Sequence, residues 1–267
     1  MSDTNGKLIR LWETKNKNDE WWSSFVTSPL AILLNWVVVD IRWITPNLLT
    51  LISFLVALLA SAMIFEGSRS NFLIAALLIN ASLVIDCMDG QMAKYRGVSS
   101  RFGSYFDKVT DQIKIFVWFS ALAYTAYQDS QSIVPVFLAF TGVTFYSLRV
   151  YVKYVTIFVE VEHDEAYLAK SSREAADVND WRSRLGGIDQ SLWQNLHWFL
   201  REQRKFFLFN ESVFVFILSV ALIFDQMLPV LWLFALSQLY FGIVRSWQRG
   251  SQIHNNQHNE LLKPIEK

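Results

Sequence analysis

Residues 86–111 read DCMDGQMAKYRGVSSRFGSYFDKVTD, which sets four carboxylates, Asp86, Asp89, Asp107 and Asp111, at the junction of two long apolar runs. On helices, the three-residue spacing of the first pair and the four-residue spacing of the second put each pair on one face. Two helices joined by a tight turn then bring the faces together. A carboxylate near hydrocarbon is costly and marks a functional site. Four of them in one pocket repel unless a cation neutralises them, and hard oxygen ligands select Mg²⁺ or Mn²⁺. Two ions are expected, because paired metals clamp both the attacking and the leaving oxygens of a phosphoryl centre. Gly90 and Gly103 let a ligand approach the backbone beside these acids, and Ala93 keeps the same wall small. Helix capping, or pairing with Lys94, Arg96, Arg101 and Lys108, would account for any one aspartate but not for the set.

Outward from this stretch the chain reads as an all-α integral membrane protein. Its 267 residues are 52% hydrophobic and 15% aromatic with only 18% charge, too apolar for a typical soluble domain. Runs long enough to cross a roughly 30 Å hydrocarbon core lie at about 46–66, 72–95, 103–127, 132–157, 206–226 and 227–246, giving six transmembrane helices. Residues 19–43, where Trp21, Trp22, Phe25, Leu30, Leu33, Leu34 and Trp36 alternate with polar residues, fit an N-terminal interfacial amphipathic helix. The polar start lacks the pattern of a cleavable signal peptide. Cys87, the only cysteine, excludes an internal disulfide and reads as a packed thiol.

Basic residues near span ends are retained in the cytoplasm. Lys7, Arg10, Lys15, Lys17, Arg42, Lys94, Arg96, Arg101, Arg245, Arg249, Lys263 and Lys267 fall on one side, against Arg69 on the other. Both termini and the aspartate cluster are therefore expected to face the cytoplasm. The chain divides into a cytoplasmic segment with the interfacial helix (1–44), a six-span catalytic domain (45–250) and a cytoplasmic tail (251–267). The long connection at 158–205 is a cytoplasmic insertion. It is acidic through Glu160, Glu162, Asp164, Glu165, Glu174, Asp177 and Asp180, breaks at Gly186-Gly187, and continues into a surface helix with Trp193 and Trp198 at headgroup level. His163 and His197 lack a cysteine or second histidine at zinc-site spacing and are read as exposed surface residues. His254 and His258, four apart and able to ligate a metal if helical, lie among Gln and Asn and are read as part of a solvated tail.

The 86–111 stretch resembles the signature Asp-x2-Asp-Gly-x2-Ala-Arg-x8-Gly-x3-Asp-x3-Asp of the CDP-alcohol phosphotransferase family. Lys94 stands where the family has Arg, keeping the charge but losing planar bidentate phosphate binding. Thr45-Pro46-Asn47-Leu48-Leu49-Thr50 is similar to the Thr-Pro-Asn-x2-Thr that opens the first span in many members. The resemblance implies that Asp86, Asp89 and Asp107 are metal ligands and that Asp111 is both ligand and base for the acceptor hydroxyl. It also implies that Gly90, Ala93, Lys94 and Ser100, beside Gly103, contact the CDP part of the donor, with Asn47 and Thr50 closing the nucleotide site. The deprotonated alcohol then attacks the donor phosphorus and CMP leaves. Arg149 and Lys153, four apart at the end of the fourth span, are either snorkelling anchors or a phosphate-binding pair for the acceptor. Members that use phosphorylated polyols incline the reading toward the second role. Members are commonly homodimers, and no nucleic-acid partner is implied.

The expected activity is metal-dependent transfer of a phosphatidyl group from CDP-diacylglycerol to an alcohol, in phospholipid biosynthesis. A CDP-amino-alcohol donor with a lipid acceptor is the alternative within the enzyme class, and a cation or proton transporter is the alternative outside it. The acids lie at one membrane edge without a visible internal repeat, which disfavours a mid-membrane transport site. The acceptor alcohol is not legible in the sequence.

Overall fold

The computed structural model describes residues 2–16, 20–164, 166–172 and 191–261, and these residues are helical with short connections. In chain order the helices are α1 (Ser2–Glu13), a π-helical turn (Ser23–Thr27) leading into α2 (Ser28–Val38), α3 (Pro46–Glu66), α4 (Arg69–Arg96), α5 (Arg101–Ser130), α6 (Val134–His163), α7 (Leu192–Glu202), a 3₁₀ turn (Gln203–Leu208), α8 (Glu211–Phe224) and α9 (Met227–Leu261). Lys17, Glu165, residues 173–190 of the insertion with Glu174, Asp177, Asp180 and the Gly186-Gly187 breaker, and tail residues 262–267 lie outside the described residues, as does the side chain of His258.

Helices occupy all six expected spans, but four of them, α3, α4, α6 and α9, are long and apolar enough to cross a membrane. α5 has the length; Asp107, Lys108, Asp111 and Lys114 make its first half too polar. α8 has 14 residues, about 21 Å of helix and short of a roughly 30 Å core. α1 was not anticipated from its polar start. It forms because Leu11 becomes fully buried in a cluster with Ala31, Ile32, Met88 and Met92.

Local capping sets the helix ends that matter for the site. The Thr45 hydroxyl accepts from Leu48 N at 3.2 Å, with Pro46 in the first turn of α3. α4 stops at Gly97, whose left-handed φ of 65° glycine adopts without strain. Ser100 restarts the chain as the N-cap of α5, its hydroxyl accepting from Gly103 N at 2.9 Å. These two caps turn the chain back within four residues.

Small and polar residues let the helices approach closely, as is usual where lipid supplies no driving force for association. Ser53 and Ser82 each donate to the other's carbonyl at 2.9 Å, joining α3 to α4. Trp118 Nε1 on α5 donates to Ala57 O at 3.0 Å, and Asn80 on α4 donates to Ser219 on α8 at 2.7 Å. The main core gathers α3, α4, α5, α8 and α9 around Phe119, Phe214 and Phe234. α2 packs one face on α4, where Asn35 Nδ2 donates to Met88 O at 2.9 Å, and leaves Leu30, Leu33, Leu34 and Trp36 exposed on the other. Within the insertion, Ser191 and Gln194 form a capping box that starts α7. Trp193 is exposed as anticipated. Trp198, expected beside it at headgroup level, is instead buried with its ring 5.4 Å from Phe25, because α7 turns that face onto the N-terminal aromatic residues.

The α6–α9 contact depends on Gly142. A Cβ there would fall 2.3 Å from Phe234, a fully buried ring stacked 3.8 Å from Phe119 and unable to retreat. Gly142→Ala is expected to destabilise the protein by about 1–3 kcal/mol through overpacking, read as a lower unfolding temperature in detergent. Phe234→Leu in that background recovers part of the loss, whereas an unchanged unfolding temperature for Gly142→Ala would contradict this packing.

Candidate active site

The last turns of α4 and the first turns of α5 converge, and the four aspartates meet. Asp86, Asp89 and Asp107 place one carboxylate oxygen each within 4.8 Å of one another. Asp86 and Asp111 do the same with Glu211, the first residue of α8. Asp86 is thus shared by two trios, one facing Asp89 and Asp107, the other facing Asp111 and Glu211. The all-oxygen donor set suits a hard divalent cation such as Mg²⁺ or Mn²⁺.

Charge repulsion within the cluster is opposed by polar groups on each helix. Lys114, one turn beyond Asp111 on α5, places Nζ 2.5 Å from Asp86 Oδ1 and 3.3 Å from Asp111 Oδ1, with a side chain only 4% exposed. Lys108 pairs with Asp107 at 2.8 Å and with Asp111 at 3.5 Å from an exposed position. The Thr50 hydroxyl donates to Asp89, and the Ser53 hydroxyl donates to Asp86 at 3.3 Å. Thr50 therefore reaches the site by holding Asp89 from α3.

Three cavities border the cluster among the described residues; the smallest, about 200 Å³, is lined by all five acids together with Thr14, Asn16 and Glu20, and the two larger ones differ in chemistry. One, of about 550 Å³, is lined by Asp89 and Asp107 and by every residue proposed from the sequence for the donor: Asn47, Thr50, Gly90, Ala93, Lys94, Ser100 and Gly103. A Cβ at Gly103 would lie 3.0 Å from Asn47 Oδ1 and 3.1 Å from Ser100 Oγ, so any side chain there would crowd both. Gly90 has open space beside it, room for a ligand against the helix. Lys94 reaches back to donate to Thr14 O at 3.3 Å and to Asn16 Oδ1, so the segment after α1 touches this wall.

The other cavity, about 420 Å³, lies between α5, α6, α8 and α9. Asp111 and Glu211 belong to its lining. Its cationic lining joins Lys108 and Lys114 to Arg149 and Lys153 on α6 and Arg245 and Arg249 on α9. Arg149 is fixed by donating to Leu208 O at 2.5 Å and by lying 5.0 Å over the Tyr146 ring. The expected pair on α6 and the aspartate cluster thus border one space.

Sequence reading missed five contributors. Lys114 shares the helix face of Asp111, three residues on, and was legible by the same spacing rule. Glu211 is an acid opening an apolar run, the same signal that singled out the aspartates. Arg245 and Arg249, four apart, repeat the pattern of Arg149 and Lys153 and were weighed only for orientation. Asn16 carries no local signal, since its role depends on where α1 packs. Among the discounted residues, His163 and His197 are exposed, and Cys87 is half-buried with Sγ 3.7 Å from the Thr27 hydroxyl.

The chain is 37% identical over 70 residues to archaetidylinositol phosphate synthase of Pyrococcus horikoshii, covering 26% of this chain and 36% of that protein. It is 35% identical over 82 residues to CDP-diacylglycerol–serine O-phosphatidyltransferase of Helicobacter pylori, covering 31% of this chain and 33% of that protein. The match thus spans about a third of these relatives' own length. Its fold is shared with phosphatidylinositol phosphate synthase of Mycobacterium tuberculosis, solved with CDP-DAG bound, at a TM-score of 0.52 and 17% identity over 82% of this chain and 91% of that one. The family model for CDP-alcohol phosphatidyltransferase matches residues 43–172, which hold all four aspartates and every proposed donor residue, and over these residues the chain is similar to the CDP-alcohol phosphatidyltransferase family.

Proposed function

We propose that this protein transfers a phosphatidyl group from CDP-diacylglycerol to the hydroxyl of an alcohol that also carries an anionic group, releasing CMP. The observation that carries this reading is the carboxylate cluster standing between two cavities of different chemistry. The cavity on the Asp89–Asp107 side offers glycine-lined backbone, Ser100, Asn47 and Lys94, a wall suited to a nucleotide diphosphate. That on the Asp111–Glu211 side is rich in fixed cations, suited to a phosphorylated polyol. The relatives' names include a phosphatidylinositol phosphate synthase and an archaetidylinositol phosphate synthase, which fits an anionic acceptor.

The chemistry follows from these positions. Arg149, Lys153, Arg245 and Arg249 hold the acceptor's anionic group and so aim its hydroxyl at the carboxylates of the same lining. Asp111, one of these, takes the hydroxyl proton. The alkoxide attacks the phosphorus on the diacylglycerol side of the diphosphate. The bond from that phosphorus to the CMP oxygen breaks, and CMP leaves through the donor cavity, where Lys94 and the backbone at Gly90 face its phosphate. Asp86, Asp89 and Asp107 would hold Mg²⁺ or Mn²⁺, which when bound supplies charge neutralisation and Lewis-acid polarisation of the diphosphate.

Asp111→Asn preserves size and removes the base. It should lower kcat by about 10²–10⁴-fold while the protein still folds and binds CDP with near wild-type affinity. Turnover close to wild type would remove Asp111 from the mechanism.

Arg149→Gln tests the acceptor side. Losing a charge-assisted contact is expected to raise the acceptor KM about tenfold or more and to leave the KM for CDP-diacylglycerol unchanged. Equal weakening of both substrates, or none, would return Arg149 to the role of a membrane anchor.

A further inference from the structure

Two lysines line the 200 Å³ cavity that holds all five acids, and they are held differently. Lys108 pairs with Asp107 and Asp111, whereas Lys94 makes no ion pair with a described residue. Its ammonium is held by the chain just beyond α1, donating to Thr14 O at 3.3 Å and to Asn16 Oδ1. Two of its three N–H bonds are thus used. Lys94 also lines the 550 Å³ donor cavity, so a charge that no carboxylate cancels, with one N–H to spare, stands where the two spaces adjoin.

The two acceptors are themselves anchored. Thr14 is 8% exposed, and its hydroxyl at 2.6 Å and its N–H at 3.1 Å both donate to Leu11 O, fixing the turn that ends α1. Leu11 is fully buried in one cluster with Met88 and Met92, which flank Asp89 and precede Lys94 on α4. The burial that makes α1 fold therefore also brings Thr14 and Asn16 beside Lys94. All of this lies outside the matched residues 43–172 on the α1 side.

Residue type gives the contact its consequence. Lysine carries a compact charge on a flexible four-carbon stem, while the arginine of the signature carries a planar fork already shaped for phosphate. A lysine held by two fixed acceptors has less side-chain freedom left to lose when a phosphate arrives. We propose that Asn16, together with the Thr14 carbonyl, is a positioning residue for the donor: it holds the Lys94 ammonium for the diphosphate of the CDP-linked substrate, doing by tertiary contact what a guanidinium does by its own geometry. This rests on reading Lys94 as a donor contact. The rival role is a plain helix cap, in which Lys94 serves only the carbonyls at the end of α1.

The test is a double-mutant cycle on the purified full-length protein in detergent with Mg²⁺, measuring the Kd for CDP by calorimetry and the unfolding temperature of each variant. Asn16→Ala is expected to weaken CDP binding about threefold or more with the unfolding temperature unchanged. Lys94→Met should weaken it about tenfold or more, and adding Asn16→Ala to Lys94→Met should cost nothing further, because Asn16 acts through the lysine. In a Lys94→Arg background, Asn16→Ala should again cost little, since the guanidinium needs no second residue to aim it. An affinity that Asn16→Ala leaves unchanged or improves would overturn the proposal, as would an equal loss in the wild-type and Lys94→Met backgrounds. A lower unfolding temperature with unchanged CDP affinity would reduce the contact to a helix cap. CDP affinity that Lys94→Met leaves unaffected would instead overturn the donor role of Lys94 on which the proposal rests.

Discussion

Mutual repulsion among Asp86, Asp89, Asp107, Asp111 and Glu211, held within a few ångströms at the edge of an apolar helix bundle, is the constraint that the rest of the structure answers. Each neighbour supplies positive charge or a hydrogen-bond donor. Lys114 enters from below and Lys108 from the rim, while Thr50 and Ser53 reach across from α3. The helix ends that carry the acids are held by the caps at Gly97 and Ser100 and by the Ser53–Ser82 pairing deeper in the bundle. A cluster arranged in this way stores electrostatic strain that a bound cation and a pair of phosphates relieve, which links the fold to the chemistry proposed for it.

Much of what steadies the site comes from outside the matched domain at residues 43–172. The segment after α1 contacts Lys94 through Thr14 and Asn16. Glu20 accepts from the hydroxyl of Ser212 at 2.5 Å and from its N–H at 3.4 Å, capping the start of α8 next to Glu211. Arg96, two residues beyond Lys94, spreads its guanidinium over the carbonyls of Val39, Ile41 and Ile44 at 2.6–3.0 Å. That contact ties the turn before α3 to the end of α4 and so sets Asn47 against Gly103. The N-terminal and C-terminal parts of the chain thus both pack around the carboxylate cluster.

The four aspartates were legible because their information is local: spacing on a helix, two glycines, and acids where hydrocarbon should exclude them. The donor wall was legible for the same reason, its residues falling within the signature and the opening of α3. Glu211, Arg245 and Arg249 carry similar local signals, but nothing in the sequence tells that they meet the aspartates, because that depends on α8 and α9 folding back against α5. The spans show the same division. Hydropathy located six helices, but α5 pays for its site with polarity and α8 is cut short where Glu211 must reach the cluster. Trp198 faces inward because α7 finds the aromatic residues of the N-terminal segment, a pairing that periodicity within α7 does not specify.

The central claim is that the cluster joins a CDP-linked lipid to an anionic alcohol. The most direct measurement incubates the purified protein with CDP-diacylglycerol, Mg²⁺ or Mn²⁺ and a panel of alcohols with and without a phosphate group, and follows CMP and lipid products by mass spectrometry. The account predicts CMP and a new phospholipid in equal amounts, with phosphorylated polyols preferred over their unphosphorylated forms and neither product formed after chelation. Absence of CMP with every acceptor, or formation of both products after complete removal of divalent metal, would contradict it.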